Sequence, residues 1–179
     1  AERPYLVLEY VKGRDLRKAM RENGTYSLEK ALEIMVPVLT GVAAAHKEGI
    51  LHRDIKPENV LIGEEGIVKV ADFGLAKIVD GGMEVSGTLR TMDGIRGTYE
   101  YMAPEAKIQG KYSKESDVYS AATMLVEMLT GYVMAELGGG FDRALNKALP
   151  DQRRDALKEI LIAATYVEPE SRGSVQDLI

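Results

Sequence analysis

The chain of 179 residues contains no cysteine, only two histidines, and no long uninterrupted hydrophobic run. Without cysteine there is no disulfide, no thiolate nucleophile and no Cys-ligated zinc, and a reducing compartment suits the chain. Two histidines exclude a His-rich metal centre. Clustered positive charge is missing too. Lys and Arg number 23 against 28 Asp and Glu, for a net charge of −5, and the basic residues are scattered, which excludes a nucleic-acid or anionic-membrane footprint. No charged segment followed by an apolar stretch opens the chain, and the most apolar segment, residues 118–134, is interrupted by Glu127. No signal peptide or membrane span is therefore predicted, and the expected location is the cytoplasm, or a cytoplasmic domain of a larger protein.

What is present is an ordinary globular composition, 45% hydrophobic and 28% charged, long enough for one domain with a substantial core. Residues 5–11 are short, apolar and β-prone and end at Lys12-Gly13, which predicts a buried strand running into a turn. Asp15 is placed to N-cap a short helix through Glu22 that stops at Asn23-Gly24. From Ser27 to Lys47, Leu28, Leu32, Met35, Val36, Leu39, Val42, Ala43 and His46 fall at helical spacing, predicting one long helix bent at Pro37. Residues 60–62 and 67–70, separated by Gly63-Glu64-Glu65-Gly66, predict a hairpin. Residues 80–97 carry Gly, Ser and Thr without apolar periodicity and predict a long loop. Asp117 to Thr130 is apolar on nearly every face and closes with Gly131, as a buried helix would. Further helices are expected over 142–149 and 153–164, with Gly138-Gly139-Gly140 as a loop. The abrupt start at Ala1-Glu2-Arg3-Pro4 and the stop inside a helical pattern at Ile179 read as cuts in a longer chain.

Three short blocks carry the chemistry. His52-Arg53-Asp54-Ile55-Lys56-Pro57-Glu58-Asn59 is followed by Asp72-Phe73-Gly74 and then by Ala103-Pro104-Glu105. In this order they resemble the signature set of eukaryotic-type serine/threonine protein kinases, in which phosphoryl transfer needs positioning and charge more than covalent help. The resemblance covers essentially the whole chain and implies a mainly α fold with small β-hairpins, the C-lobe of a protein-kinase-like fold. It implies ATP and Mg²⁺ as cofactors and a protein as substrate. Residues 1–12 would be the hinge strand and hinge, 50–77 the catalytic and metal loops, 72–105 the activation segment and 106–179 a helical subdomain.

By the same resemblance Asp54 would orient the substrate hydroxyl proton, Lys56 would neutralise charge on the transferred group, and Thr98 would brace both. Asn59 and Asp72 would be the metal ligands. The backbone of Glu9 and Val11 would meet adenine, Leu8 would be the gatekeeper, Leu61 the apolar floor, and Asp15 the ribose contact. Asp117 would hold the catalytic-loop backbone, and Glu105 would pair with Arg172. Met124 and Met128 fall below the floor, where plain core is the simpler role. His52 is expected to stack near Phe73 and take no proton. Tyr119, Ala122 and Gly173 depart from the residues usual at their positions.

A larger departure is the lack of a glycine-rich phosphate loop, a strand lysine and its helix glutamate, which belong to an N-terminal lobe expected before residue 1. The isolated chain is therefore expected to bind nucleotide weakly and turn over slowly. An apolar face around Tyr5, Leu6, Leu8, Leu61 and Phe73 would then be open to that lobe or to self-association. A second functional class, a stand-alone docking or scaffolding module, is weakened by the intact Asp54, Lys56, Asn59 and Asp72. Within the long loop, Thr91 and then Thr88 are the expected phosphate acceptors, with Arg53 and Lys77 as the receiving basic pair.

Overall fold

The computed structural model describes residues 7–73, 99–149 and 153–179. The first described element is not the expected strand: residues 7–11 are without strand pairing, and β1 is Gly13–Asp15. An extended segment persists only where neighbours accept its backbone bonds, and in this chain residues 13–15 have them. β1 pairs antiparallel with β2 (Val60–Gly63), Gly13 opposite Gly63 and Asp15 opposite Leu61, and β2 pairs antiparallel with β3 (Val68–Val70), Val60 opposite Val70. Gly13 is required here, since a Cβ on it would stand 2.0 Å from the Ile62 carbonyl oxygen. Between β2 and β3 the expected polar turn is a 3₁₀ turn, Glu64–Gly66.

Helix α1 (Leu16–Asn23) starts where sequence placed it, with the Asp15 side chain accepting from the Lys18 amide at 2.8 Å and Gly24 (φ 74°) ending it. Helix α2 (Leu28–Lys47) is one 20-residue helix capped by Ser27, and it runs through Pro37. Pro37 lies on the exposed face, where the carbonyl it leaves without a partner meets water. The buried stripe is Ala31, Ile34, Met35, Val38, Leu39, Val42, Ala43 and His46. Its phase corrects the expected one: Val36 is exposed and Leu32 only half-buried, while Ile34 and Val38 take the core positions.

Helix α3 (Pro104–Gln109) precedes α4 (Lys114–Thr130), which begins three residues earlier than expected. A capping box explains the difference: the Ser113 hydroxyl accepts from the Ser116 amide at 3.3 Å, and the Ser116 hydroxyl accepts from the Ser113 amide at 2.9 Å. Gly131 (φ 81°) closes the helix. Helix α4 is buried on most sides and forms the axis of the fold, with α2 on one flank. Around it stand α6 (Phe141–Ala148) and α7 (Arg153–Ala164), through Leu145 and Leu161, both fully buried. Between α4 and α6, a short helix α5 (Met134–Leu137) and a 3₁₀ turn over Gly138–Gly140 replace the expected plain loop. Among the described residues no single helix is long and apolar enough to cross a membrane. The architecture is thus mainly helical with one small three-stranded sheet, β1-β2-β3.

Candidate active site

In the loop joining α2 to β2, the His52 and Arg53 amides are both bound to one buried carboxylate. Asp117 in the first turn of α4 is 1% exposed. One of its oxygens accepts from the Arg53 amide at 2.8 Å, and the other accepts from the His52 amide and pairs with His46 Nε2, each at 2.8 Å. A buried carboxylate persists only when its lone pairs are filled, and here three partners fill them. Held this way, Arg53 sits at φ 69°, a left-handed conformation that a side chain disfavours and that marks an over-determined loop.

Next to that anchor the polar groups converge. Lys56 Nζ stands 2.8 Å from Asp54 Oδ2. The 3₁₀ turn Pro57–Asn59 brings Asn59 back beneath Asp54, where its Nδ2 donates to the Asp54 carbonyl at 2.7 Å and to Asp54 Oδ2 at 3.1 Å. Since its amide nitrogen is used on Asp54, Asn59 has its carbonyl oxygen left as the ligand-type atom. The Asp54 carboxylate is thereby fixed by a cation and an amide while about a quarter of its side chain faces solvent.

His52 joins the two loops. Its Nδ1 accepts from the Asp54 amide at 3.3 Å and its Nε2 faces the Ala71 carbonyl at 3.0 Å, an arrangement that fits the neutral ring protonated at Nε2. Burial lowers its pKa, against the opposing pull of Asp117. The ring lies 4.6 Å from that of Phe73, tilted by 53°. Asp72, between Ala71 and Phe73, also has positive φ, 64°.

Asp72 and Phe73 line one wall of a cavity of about 310 Å³ whose remaining wall includes Leu8, Glu9, Val11, Leu61 and Lys69. Of the groups expected at a nucleotide, Glu9, Val11, Leu61 and Asp72 are thus brought together, with Leu8 beside them. Asp15 and Asn59 are not in the lining: the Asp15 side chain caps α1 and pairs with Lys18 Nζ at 3.2 Å, and the Asn59 amide nitrogen is turned onto Asp54. Burial pushes the Asp15 carboxyl up, but the Lys18 amide and ammonium outweigh this and leave its pKa lowered. Sequence reasoning missed Lys69, whose Nζ lies 2.6 and 2.7 Å from the two carboxylate oxygens of Glu9 at the cavity wall. No local pattern flags it, because an exposed lysine in a short strand ordinarily faces solvent and its partner Glu9 lies 60 residues away.

Among the described residues no three His, Asp or Glu side chains form a cage of their own. Asn59 and Asp72 carry the hard oxygen atoms that could hold a divalent cation, whose other ligands would then come from phosphate and water. Farther out, Arg172, fully buried, forks onto Glu105 at 2.7 and 2.8 Å and also donates to the Tyr166 and Val167 carbonyls at 2.6 and 2.8 Å. Thr98, Lys77, Thr88 and Thr91 lie outside the described residues, as do Tyr5 and Leu6.

Comparison with known proteins agrees with this geometry. The protein kinase domain family matches residues 1–178. The chain is 44% identical over 132 residues to a probable serine/threonine-protein kinase of Bifidobacterium longum, PknB, covering 73% of this chain and 19% of that protein. It is 42% identical over 130 residues to a probable serine/threonine-protein kinase of Clostridium perfringens, covering 72% and 18%. With the serine/threonine-protein kinase PknL of Mycobacterium tuberculosis it shares 40% over 129 residues, covering 72% and 31%. The chain therefore spans less than a third of the length of these curated relatives.

Proposed function

The chain belongs to the protein kinase domain family, and from that premise we propose that it is the substrate-side lobe of a serine/threonine kinase that uses ATP and Mg²⁺ to phosphorylate protein hydroxyls. The observation that carries this is the fixed Asp54 carboxylate, held by Lys56 and Asn59, with the Asn59 backbone carbonyl in turn accepting from the amide of Ala71 in the wall of the cavity that Asp72 also lines. Relatives named as serine/threonine-protein kinases support the same specificity.

When bound, Mg²⁺–ATP supplies the transferable phosphoryl group and a charge that screens it. Asp54 orients the substrate Ser or Thr hydroxyl and accepts its proton, for which a partly exposed carboxylate at a loop tip has the right reach. Lys56, already on Asp54, neutralises negative charge where it develops, and its place two residues after Asp54 fits hydroxyl substrates of the Ser/Thr class. Asn59 and Asp72 hold the cation with oxygen ligands, and Leu61 with the backbone of Glu9 and Val11 receives the base. Thr98 is proposed as the brace of Asp54 and Lys56. The cytoplasm, or the cytoplasmic side of a larger protein, is the proposed location, in keeping with a chain free of cysteine.

Product chemistry tests this. The chain joined to a nucleotide-clamping lobe and given ATP and Mg²⁺ should label a protein substrate on serine and threonine, with no phosphotyrosine. Label on tyrosine alone, or none with any supplied lobe, would contradict the proposal and favour a docking module.

A further inference from the structure

Arg17 belongs to none of the signature blocks, yet it gathers groups from three distant parts of the chain. It sits in the first turn of α1 with 16% of its side chain exposed. Its Nε donates to Glu58 Oε1 at 2.9 Å and one terminal nitrogen donates to Glu127 Oε1 at 2.8 Å. The other terminal nitrogen donates to the Tyr101 hydroxyl and reaches Glu127 Oε2 at 3.4 Å, and that hydroxyl donates in turn to Glu127 Oε2. All three nitrogens are thus engaged, in the fork geometry that only a guanidinium provides.

Charge makes this cluster one-sided. A single cation serves two carboxylates, of which Glu127 is 12% and Glu58 39% exposed. Burial works against the Arg17 charge, but Glu127, Tyr101 and Glu58 together raise its pKa. Burial, then Glu127, raises the pKa of Tyr101, which keeps its proton and serves as a donor. Removing the guanidinium would leave Glu58 and Glu127 without their shared cation, and the more exposed Glu58 is the one free to swing out to water.

Glu58 is the middle residue of the 3₁₀ turn Pro57–Asn59, and its neighbour Asn59 makes two hydrogen bonds to Asp54, one to its carbonyl and one to its carboxylate, beside the Lys56 contact. Tyr101 is 1% exposed, and Glu127 lies on the central helix α4. One end of the cluster is therefore rigid and the other is the turn beneath Asp54. We propose that Arg17 is a positioning residue for phosphoryl transfer: by tying Glu58 to Glu127 and Tyr101 it holds the turn that aims Asn59 and Asp54. The proposal rests on the kinase function given above, and a plain structural cross-link is the competing explanation.

The two differ in what they change. In the chain joined to a nucleotide-clamping lobe, Arg17→Ala should lower kcat at least about tenfold, some 1.4 kcal/mol in the barrier, while KM for ATP stays within about twofold. Millimolar guanidinium chloride, far below denaturing levels, should restore part of that kcat, and Arg17→Lys should fall between. Glu58→Gln keeps the core contacts and should also lower kcat with little change in thermal midpoint, so the test survives if Arg17→Ala does not fold. Unchanged kcat in Glu58→Gln, or a loss in Arg17→Ala without guanidinium rescue, overturns the proposal. Hydrogen exchange on chain 1–179 needs no activity: the amides of Asn59 and Ala71, bonded to the Lys56 and Asn59 carbonyls, should exchange faster in Glu58→Gln while α4 amides do not. Equal exchange overturns the positioning link even if wild-type phosphotransfer is found. Faster exchange with no wild-type phosphotransfer upholds the link to the turn and sinks the kinase function instead.

Discussion

At the scale of single residues, Asp54 and Asp72 are two carboxylates with different surroundings. Asp54 is tied to Lys56 and Asn59, and Asp72 stands in the cavity wall at positive φ. In the chain joined to its lobe, Asp54→Asn should abolish phosphotransfer with nucleotide affinity nearly unchanged, whereas Asp72→Asn should weaken Mg²⁺–nucleotide binding as well. Titration calorimetry of both variants checks the contrast, and equal loss of affinity would refute the division of roles. His52 gives a second prediction. Its pKa is lowered from 6.5 in the folded chain by burial, so between the folded value and 6.5 the unfolded chain binds more protons. Its contribution to stability is therefore complete above about pH 6.5 and is lost as pH falls through that window. The thermal midpoint of chain 1–179 should drop between pH 7 and pH 5.5, and His52→Gln should flatten that slope; an equal slope in the variant would count against it.

At the scale of elements, the parts legible in the sequence are those set by local chemistry. Asp15 and Gly24 bound α1, Gly131 ends α4, and the β2–β3 hairpin falls within a residue of its expected limits. The start of α4 is hard to read from sequence because Ser113 and Ser116 cap each other, a box with serine where glutamate is the more recognisable partner. The outward place of Val36 is hidden because apolar character alone does not fix the phase of a helix with apolar residues at 34, 35, 36, 38 and 39. The Arg17 cluster was invisible for a different reason: its partners are 41, 84 and 110 residues away in sequence. The same holds for Lys69 and Glu9, 60 apart. By contrast, the Glu105–Arg172 pair, 67 residues apart, was found only through the resemblance. Breaking it should be costly, because Arg172→Ala leaves Glu105 without its cation at a site where the arginine is fully buried. A loss of about 3–5 kcal/mol is expected in urea unfolding of chain 1–179. A loss below about 1 kcal/mol, the range of surface pairs, would show the bridge to be dispensable. Ser113→Ala should cost about 1 kcal/mol by the same measurement through loss of the α4 cap.

At the scale of the whole molecule, the core built on α2 and α4 is closed while the cavity side is not. Val7, Leu8 and Tyr10 are exposed at 87%, 66% and 86%. Exposed apolar side chains beside a cavity mark a face suited to cover by another surface. Isolated chain 1–179 is accordingly expected to self-associate and to bind apolar dyes, and sedimentation as a strict monomer at high concentration without dye binding would refute this. We propose that this chain contributes the phosphotransfer centre, with Asp54 at its heart, and depends on a second lobe to hold nucleotide. The most direct measurement follows single-turnover phosphate transfer to a protein substrate as a separately produced nucleotide-clamping lobe is titrated into wild-type and Asp54→Asn chain. Transfer should rise with added lobe and saturate for the wild type while the variant stays at background; transfer that is independent of the lobe, or equal in the Asp54→Asn chain, would contradict the account.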